Sequence, residues 1–411
     1  MEEKQNMRPC VVFPWVVLGA QHKIHVRLNH KMNLFRIADD QLEEFLSENV
    51  KKYEKNRNYD WGPKNRTNVS NLSHFISHRA VLEYDAVLRT LNKQGYKAAE
   101  KFIQEIFWRV YWKGWLEMRP TVWEDFKRFE IEDSEQDLLN AYNGDTGIDC
   151  FDDWVRELRE TNYLHNHTRM WFASIWIFTL KLSWQSGAAF FLKHLNDGDA
   201  ASNTLGWRWV AGIQTKGKHY LAKSWNIEKF TNGRYSNIPL NECAEPIYEP
   251  INHPLIKPTY NLISQKRNDS LIIFENDLNL ADREALYLEY KNVYLVCLNN
   301  YQRKFKIAKP VLEFKNSLLR SFQENASHPS VITNNFNSIT EKERSFDVVY
   351  PFVGESLDYL NALKKKLALE ISFLHRKQDL FCISFCNKGF FNFKQNIPQI
   401  IEEIKALNSG R

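Results

Sequence analysis

Between Ile238 and Tyr260 the chain carries five prolines, Pro239, Pro246, Pro250, Pro254 and Pro258. A proline fixes φ and removes a backbone donor, so neither a helix nor a central strand runs through such a stretch. An extended connector is expected there. On its N-terminal side apolar residues recur at helical spacing among charges: Leu42, Phe45, Leu46 and Val50 within 39–54, then Phe102, Ile106, Val110 and Trp115 within 79–119. The same period predicts helices over Asp152–Glu160, Thr168–Trp184 and Ala188–Leu195. On its C-terminal side come short β-rich runs, Ser270–Phe274, Val293–Leu298, Asp347–Phe352 and Leu380–Phe385, alternating with helical stretches Pro310–Gln323 and Gly354–Leu367. Such alternation specifies a parallel sheet with crossover helices. The expected organisation is an all-helical domain over 1–237, a connector over 238–265 and a smaller α/β domain over 266–411; 411 residues suit two such cores.

Composition excludes more than it assigns. With 43% hydrophobic and 26% charged residues the chain is neither disordered nor membrane-like. Val11–Ala20 is apolar but short and broken by Pro14 and Gly19, and Met170–Phe178 is followed by Lys181, so no membrane association and a cytoplasmic location are expected. The net charge of +5, spread over the whole length, identifies no partner. The aromatic share of 14%, with 13 Trp, is the unusual quantity, because large π faces grip flat rings such as flavins and nucleobases. Cys10, Cys150, Cys243, Cys297, Cys382 and Cys386 form no CxxC pair and no Cys/His zinc spacing. Free, mostly buried thiols and no metal site are expected, with Cys382 and Cys386 flanking an apparent strand end. The α/β region has no GxGxxG after its first strand and the chain has no GxxxxGK[ST], which argues against a conventional dinucleotide or P-loop site.

The chemistry is concentrated in Tyr163-Leu-His-Asn-His-Thr-Arg-Met170, then Leu195-Asn-Asp-Gly-Asp-Ala-Ala-Ser-Asn203, then Gly206-Trp-Arg-Trp209. This succession resembles the photolyase/cryptochrome signature W-M-H-N-R-x-R-M, L-x-D-G-D-x-A-x-N and G-W-x-W, with matching spacing. The resemblance extends back through Gly144–Leu158, Gln104–Arg109, Ser70–Ser73 and Tyr53–Arg57, and covers about residues 40–235. It implies an all-helical, photolyase-type FAD-binding domain followed by a Rossmann-like α/β domain, with FAD as cofactor. By that likeness Tyr53, Ser70, Leu72, Ser73, Phe102 and Arg109 bind FAD, together with Asn166, Arg169, Asp197, Asp199 and Asn203. The residue types suit the task. Hydroxyls and an arginine hydrogen-bond a pyrophosphate, buried Asp and Arg tolerate each other only as pairs, and the Asn203 amide can serve the flavin ring edge.

The same likeness implies damaged DNA as partner, with the protein expected to act as a monomer. A pyrimidine dimer in a duplex must be flipped out, at about a few kcal/mol and less for a poorly stacked lesion. Trp108 and Trp209 match the flanking tryptophans, each worth about 1–3 kcal/mol of stacking. Glu105 matches the carboxylate that hydrogen-bonds the dimer, with Asn166 and Met170 lining the cavity. Asn166, where a (6-4) enzyme carries His, points to cyclobutane dimers and to a light-driven carbon–carbon lyase. Trp207 and Trp184 match the first two members of the electron-transfer chain, while Ile131 falls at the third; Trp176 and Phe129 are candidate substitutes. His167 replaces the usual Arg, removing a fixed positive charge, and Phe102 stands where many members have Trp. These departures keep open a cryptochrome-like blue-light receptor that binds FAD without repair, and a flavin-free relic of the fold. The order of parts is also unusual, because Ser270–Leu286 is faintly similar to the first strand and loop of the family's N-terminal antenna domain, with Glu275 replacing an Arg. Either a permuted antenna domain or an unrelated α/β domain fits, and a second chromophore is not defined by the sequence.

Overall fold

The computed structural model describes residues 33–258, 262–263, 265–280 and 283–409; Cys10 and the Val11–Ala20 segment lie outside them. The helical part comprises α1 (Leu34–Glu48), a 3₁₀ turn (Val50–Lys52), α2 (Tyr53–Asn56), α3 (Ser73–Ser77), α4 (Glu83–Gln94) and α5 (Tyr96–Glu117). It continues with α6 (Thr121–Arg128), α7 (Glu135–Asn143), α8 (Asp149–Thr161), α9 (Asn166–Ser174), α10 (Trp184–His194), α11 (Ala200–Ala211) and α12 (Ser224–Phe230). α1 shows why these segments are helices. Leu34, Ala38, Leu42, Phe45 and Leu46 form one buried stripe, and the Asn33 side chain accepts from the amides of Phe35 and Arg36 at 3.0 and 3.2 Å.

The single helix expected over Thr168–Trp184 is interrupted. After α9 the backbone makes a π turn, Ile175–Thr179, closed by the Leu180 amide on the Ile175 carbonyl at 2.9 Å. Lys181 then takes a left-handed φ of 58°, and Trp184 opens the next helix instead of closing this one. Apolar residues on both sides hide this break from a periodicity reading.

The C-terminal part adds β1 (Leu262–Ile263), β2 (Ser270–Phe274), α13 (Glu284–Tyr287), β3 (Asn292–Val296), α14 (Lys309–Asn325), β4 (Val331–Thr333) and α15 (Phe336–Thr340). It ends with β5 (Ser345–Val349), α16 (Glu355–Leu367), β6 (Glu370–Leu374), α17 (Lys377–Ile383), α18 (Phe390–Gln395) and α19 (Ile397–Ser409). All strands pair in parallel in the order β1-β6-β5-β2-β3-β4. β2 is buried along its whole length and reads as a continuous apolar run, as a parallel strand covered on both faces requires. One expected strand is a helix: Leu380–Phe385 lies in α17 and the turn after it, and the strand at that place is β6. Cys382, Ile383 and Cys386 are buried together, a helical spacing inside a run too short for its period to be decided from sequence. β1 falls in the stretch expected to be connector. Cys150, Cys297, Cys382 and Cys386 are free and buried, and Cys243 is free and exposed. Among the described residues no helix is long and apolar enough to cross a membrane.

The two parts share a core. One hydrophobic cluster runs from Leu34 and Phe107 through Leu271 and Leu318 to Ile404, with α1 against α14, α4 against α19 and α5 against α17. At Gly114 a methyl group would meet Cys386 Sγ at 2.5 Å, so only glycine lets α5 and α17 approach this closely. Within the interface Arg79 is 1% exposed. Its Nε faces Glu83 Oε2 at 3.1 Å, Nη1 reaches Asp277 Oδ2 at 3.0 Å and Asp379 Oδ2 at 2.8 Å, and Nη2 reaches Asp379 Oδ1 at 2.7 Å. Tyr84 Oη donates to Asp379 at 2.8 Å and Arg376 Nη2 to Asp277 Oδ1 at 2.7 Å. Removing one member of a buried pair strands the others without solvent. Arg79→Ala is therefore expected to lower the unfolding free energy by about 3–5 kcal/mol in urea titration, whereas Arg36→Ala, at an exposed pair, changes it by less than about 1 kcal/mol.

Candidate functional site

α11 packs against both α5 and α9, and the three helices carry most of the residues singled out above. α5 places Glu105, Trp108 and Arg109 within one turn. His165 caps α9, accepting from the His167 amide at 3.2 Å, so Asn166 starts the helix and Arg169 and Met170 follow one turn later. Asp199 caps α11, accepting from the Ser202 amide at 2.8 Å. That cap fixes the turn carrying Asp197 and sends Asn203, Trp207 and Trp209 along the helix.

The inner group is an ion cluster. Asp197 is 4% exposed and lies 2.9 Å from Arg169 Nη1 and 3.9 Å from Arg109 Nη2; Arg109 Nη1 also meets Asp199 Oδ2 at 2.6 Å. Burial alone would push the Asp197 carboxyl up. Arg169, then Arg109, outweigh it and hold the group well below the usual carboxylate range, helped by the Ser73 hydroxyl. Arg169 also donates from Nε to the Leu164 carbonyl at 3.0 Å and lies over the Tyr163 ring. Leu72 and Phe102 are buried, and Phe102 packs against Phe45 and Tyr53 at ring distances of 4.9 and 5.4 Å. Ser70 is half-buried, its carbonyl accepting from Gln41 at 2.7 Å. Asn203 is buried, with Nδ2 donating to the Ala188 carbonyl at 2.8 Å.

The outer group is open to solvent. Glu105, Trp108, Met170 and Trp209 are half-buried and Asn166 is exposed. Burial pushes the Glu105 carboxyl up, against the pull of Arg57, 2.7 Å away, and of Lys101. Phe390 of α18 stacks flat on Trp108 at 3.5 Å and 11°, so one face of that indole is covered by the C-terminal part. Trp209 stacks on Tyr220 at 6.0 Å. His167 brings no charge: burial lowers its imidazole to about 4. It stacks on Trp171 at 4.2 Å, faces the Asn58 carbonyl at 2.9 Å and meets the Tyr220 hydroxyl at 3.2 Å. Phe390 and Tyr220 had no sequence signal, because each acts through a partner far away along the chain.

The tryptophans are arranged differently from the expected chain. Among the described residues the rings around Trp207 belong to Phe172, Trp176 and Phe191, at 6.4, 6.2 and 5.0 Å. Trp184 instead stacks on Phe126 at 5.5 Å, lies under Arg208 and donates to Glu249 at 2.9 Å. Ile131 is 56% exposed, and Phe129 lines a surface cleft beside Trp184.

Residues 102–235 match a family described as the FAD binding domain of DNA photolyase. The chain is 36% identical over 150 residues to a deoxyribodipyrimidine photo-lyase of Streptomyces griseus, covering 36% of this chain and 33% of that protein. It is 26% identical over 215 residues to one of Alkalihalophilus pseudofirmus, covering 51% and 41%. A solved bacterial class III photolyase from Agrobacterium tumefaciens aligns with a TM-score of 0.42 at 28% identity, over 48% of this chain and 42% of that one. The matches thus cover between a third and somewhat over two fifths of each of these relatives.

The buried imidazoles make the site acid-sensitive. Burial lowers His74 and His167 to about 4 and His78 and His165 to about 3. In the unfolded chain each returns to about 6.5, so the unfolded state takes up protons first. Stability from this source is complete above about pH 6.5 and declines as pH falls toward the folded values. Unfolding free energies measured between pH 7 and 4.5 are expected to fall steadily, with a shallower slope for His167→Asn. A flat profile would contradict neutral buried imidazoles.

Proposed function

We propose, from the membership of the photolyase/cryptochrome family that residues 102–235 give this chain, that its helical part binds FAD and that the loaded protein repairs cyclobutane pyrimidine dimers in DNA under light. The observation that carries this reading is the buried Asp197 cluster of the inner group, its Oδ2 held by Arg169 and Arg109, set behind the half-open group of Glu105, Trp108, Asn166, Met170 and Trp209. The residues present fit the cofactor. Ser202 Oγ and Trp207 Nε1 are buried polar atoms without a protein partner, and a buried donor left this way favours a ligand that satisfies it. Tyr53, Ser70, Ser73 and Arg109 would hold its pyrophosphate, Leu72 and Phe102 its apolar surfaces, and Asn166, Arg169, Asp197, Asp199 and Asn203 its rings and ribose. Bound there, FAD would supply a photoexcitable single-electron donor.

On the DNA side, Trp108 and Trp209 offer faces to a flipped dimer, offsetting the unstacking cost. Glu105, its carboxyl pushed up by burial against Arg57 and Lys101, presents a half-buried carboxyl group for a hydrogen bond to the edge of a flipped pyrimidine. Asn166 supplies an amide and Met170 an adaptable apolar wall. Splitting the cyclobutane ring consumes no net electron, so no hydrolytic base is required.

Two observations favour a second reading, a blue-light receptor that binds FAD without repair. Phe390 covers one face of Trp108, and His167 is neutral where a cation would attract a phosphate. One experiment separates them. Purified protein with a flavin absorption band is illuminated with dimer-containing single- and double-stranded oligonucleotides. Restoration of intact pyrimidines, with Trp209→Ala weakening dimer binding by about 1–3 kcal/mol while retaining the flavin band, is the expected result. Flavin-loaded wild type that restores neither substrate would leave the receptor reading.

A further inference from the structure

Indole and phenol are the side chains from which a single electron is most readily withdrawn, and electrons hop between such rings only when these lie in or near contact. Trp207 is 2% exposed and Trp176 fully buried, with ring centroids 6.2 Å apart and planes at 86°. Tyr142 follows at 5.6 Å from Trp176 and is half-buried, at the protein surface. This line runs from α11, one turn beyond Asn203, to solvent through aromatic rings alone. The line through Trp184 does not: its ring partner is Phe126, which resists oxidation, and Ile131 stands exposed where a third aromatic would be needed.

Two features of the backbone hold the contact between Trp176 and Trp207. At Gly187 a methyl group would stand 2.3 Å from Trp207 Cη2 and 2.9 Å from Trp176 Nε1, so glycine is required between the two indoles. Trp176 itself lies in the π turn, a rare winding that concentrates at functional positions, and its Nε1 is anchored on the Ser183 carbonyl at 2.9 Å.

We propose that Trp207, Trp176 and Tyr142 form the electron relay of this protein, replacing the route through Trp184. The relay rests on the reading that FAD is bound beside Trp207. Bound there, light-excited oxidised FAD would supply the oxidant; Trp207 would give up one electron to it, one electron from Trp176 would refill Trp207, and one from Tyr142 would refill Trp176. Tyr142 releases its phenolic proton to solvent and is left as a neutral radical. Asp133, close enough to raise the Tyr142 phenol together with burial, favours positive charge passing this way. A soluble thiol returns a hydrogen atom to Tyr142 and becomes a thiyl radical.

The test is electron paramagnetic resonance and transient absorption after a blue flash on oxidised, flavin-loaded protein, with photoreduction followed in the presence of thiol. A tyrosyl radical is expected in wild type and in Trp184→Phe, and its loss in Tyr142→Phe and Trp176→Phe. Tyr142→Phe is half-exposed and conservative, so its flavin band reports an intact fold even if Trp176→Phe is poorly folded. A tyrosyl radical that survives Tyr142→Phe, or is lost in Trp184→Phe, overturns the relay while flavin binding stands. Protein that takes up no flavin removes the reading and the relay together.

Discussion

The guanidinium of Arg79 is the contact on which the arrangement of this molecule turns. It joins Glu83 of its own part to Asp277, after β2, and Asp379, in α17, all nearly inaccessible to solvent. An exposed pair of this kind contributes little. Buried, it becomes a geometric condition: the end of the central strand, with Asp277, and the start of α17, with Asp379, must both arrive for the Arg79 guanidinium to be fully paired. Once they do, α17 lies along α5, and α18 carries Phe390 onto Trp108.

The same rule governs two other buried carboxylates. Asp197 keeps its charge through Arg169 and Arg109, and Glu275 through Lys315 and Arg303, 3.4 and 2.6 Å away, which hold it at about 2 despite complete burial. Glu275 stands where the antenna-like motif carries an Arg. The cations that keep it charged are supplied by α14 and by the loop after β3. Beside Glu275, at the C-terminal ends of β2 and β5 where strand order reverses, a cavity of about 90 Å³ separates the sheet from α11.

Much of this was legible in the sequence because it is local. Helical stripes such as Leu42–Phe45–Leu46, buried strands such as Ser270–Phe274, and the three linked motifs from Tyr163 to Trp209 each declare themselves within a few turns of chain. What was not legible depends on distance along the chain or on a break inside an apolar run. Leu380–Phe385 has too few residues to separate a strand from a helix by period. The π turn at Ile175–Thr179 adds one residue within a mostly apolar run. The contact of Trp207 with Trp176 rather than Trp184, and the loss of charge on His167, arise from packing across α9, α10 and α11, which no spacing encodes.

The hydrophobic cluster that begins at Leu34 closes on Ile404, which sets the order of events during synthesis. Translation delivers α1 and α4 long before their packing partners α14 and α19 exist. The helical half therefore waits on the ribosome with an apolar flank uncovered, and its closing contacts span most of the chain. High sequence separation slows assembly and lengthens exposure to aggregation. The early-made helices keep that flank open until the last helices emerge.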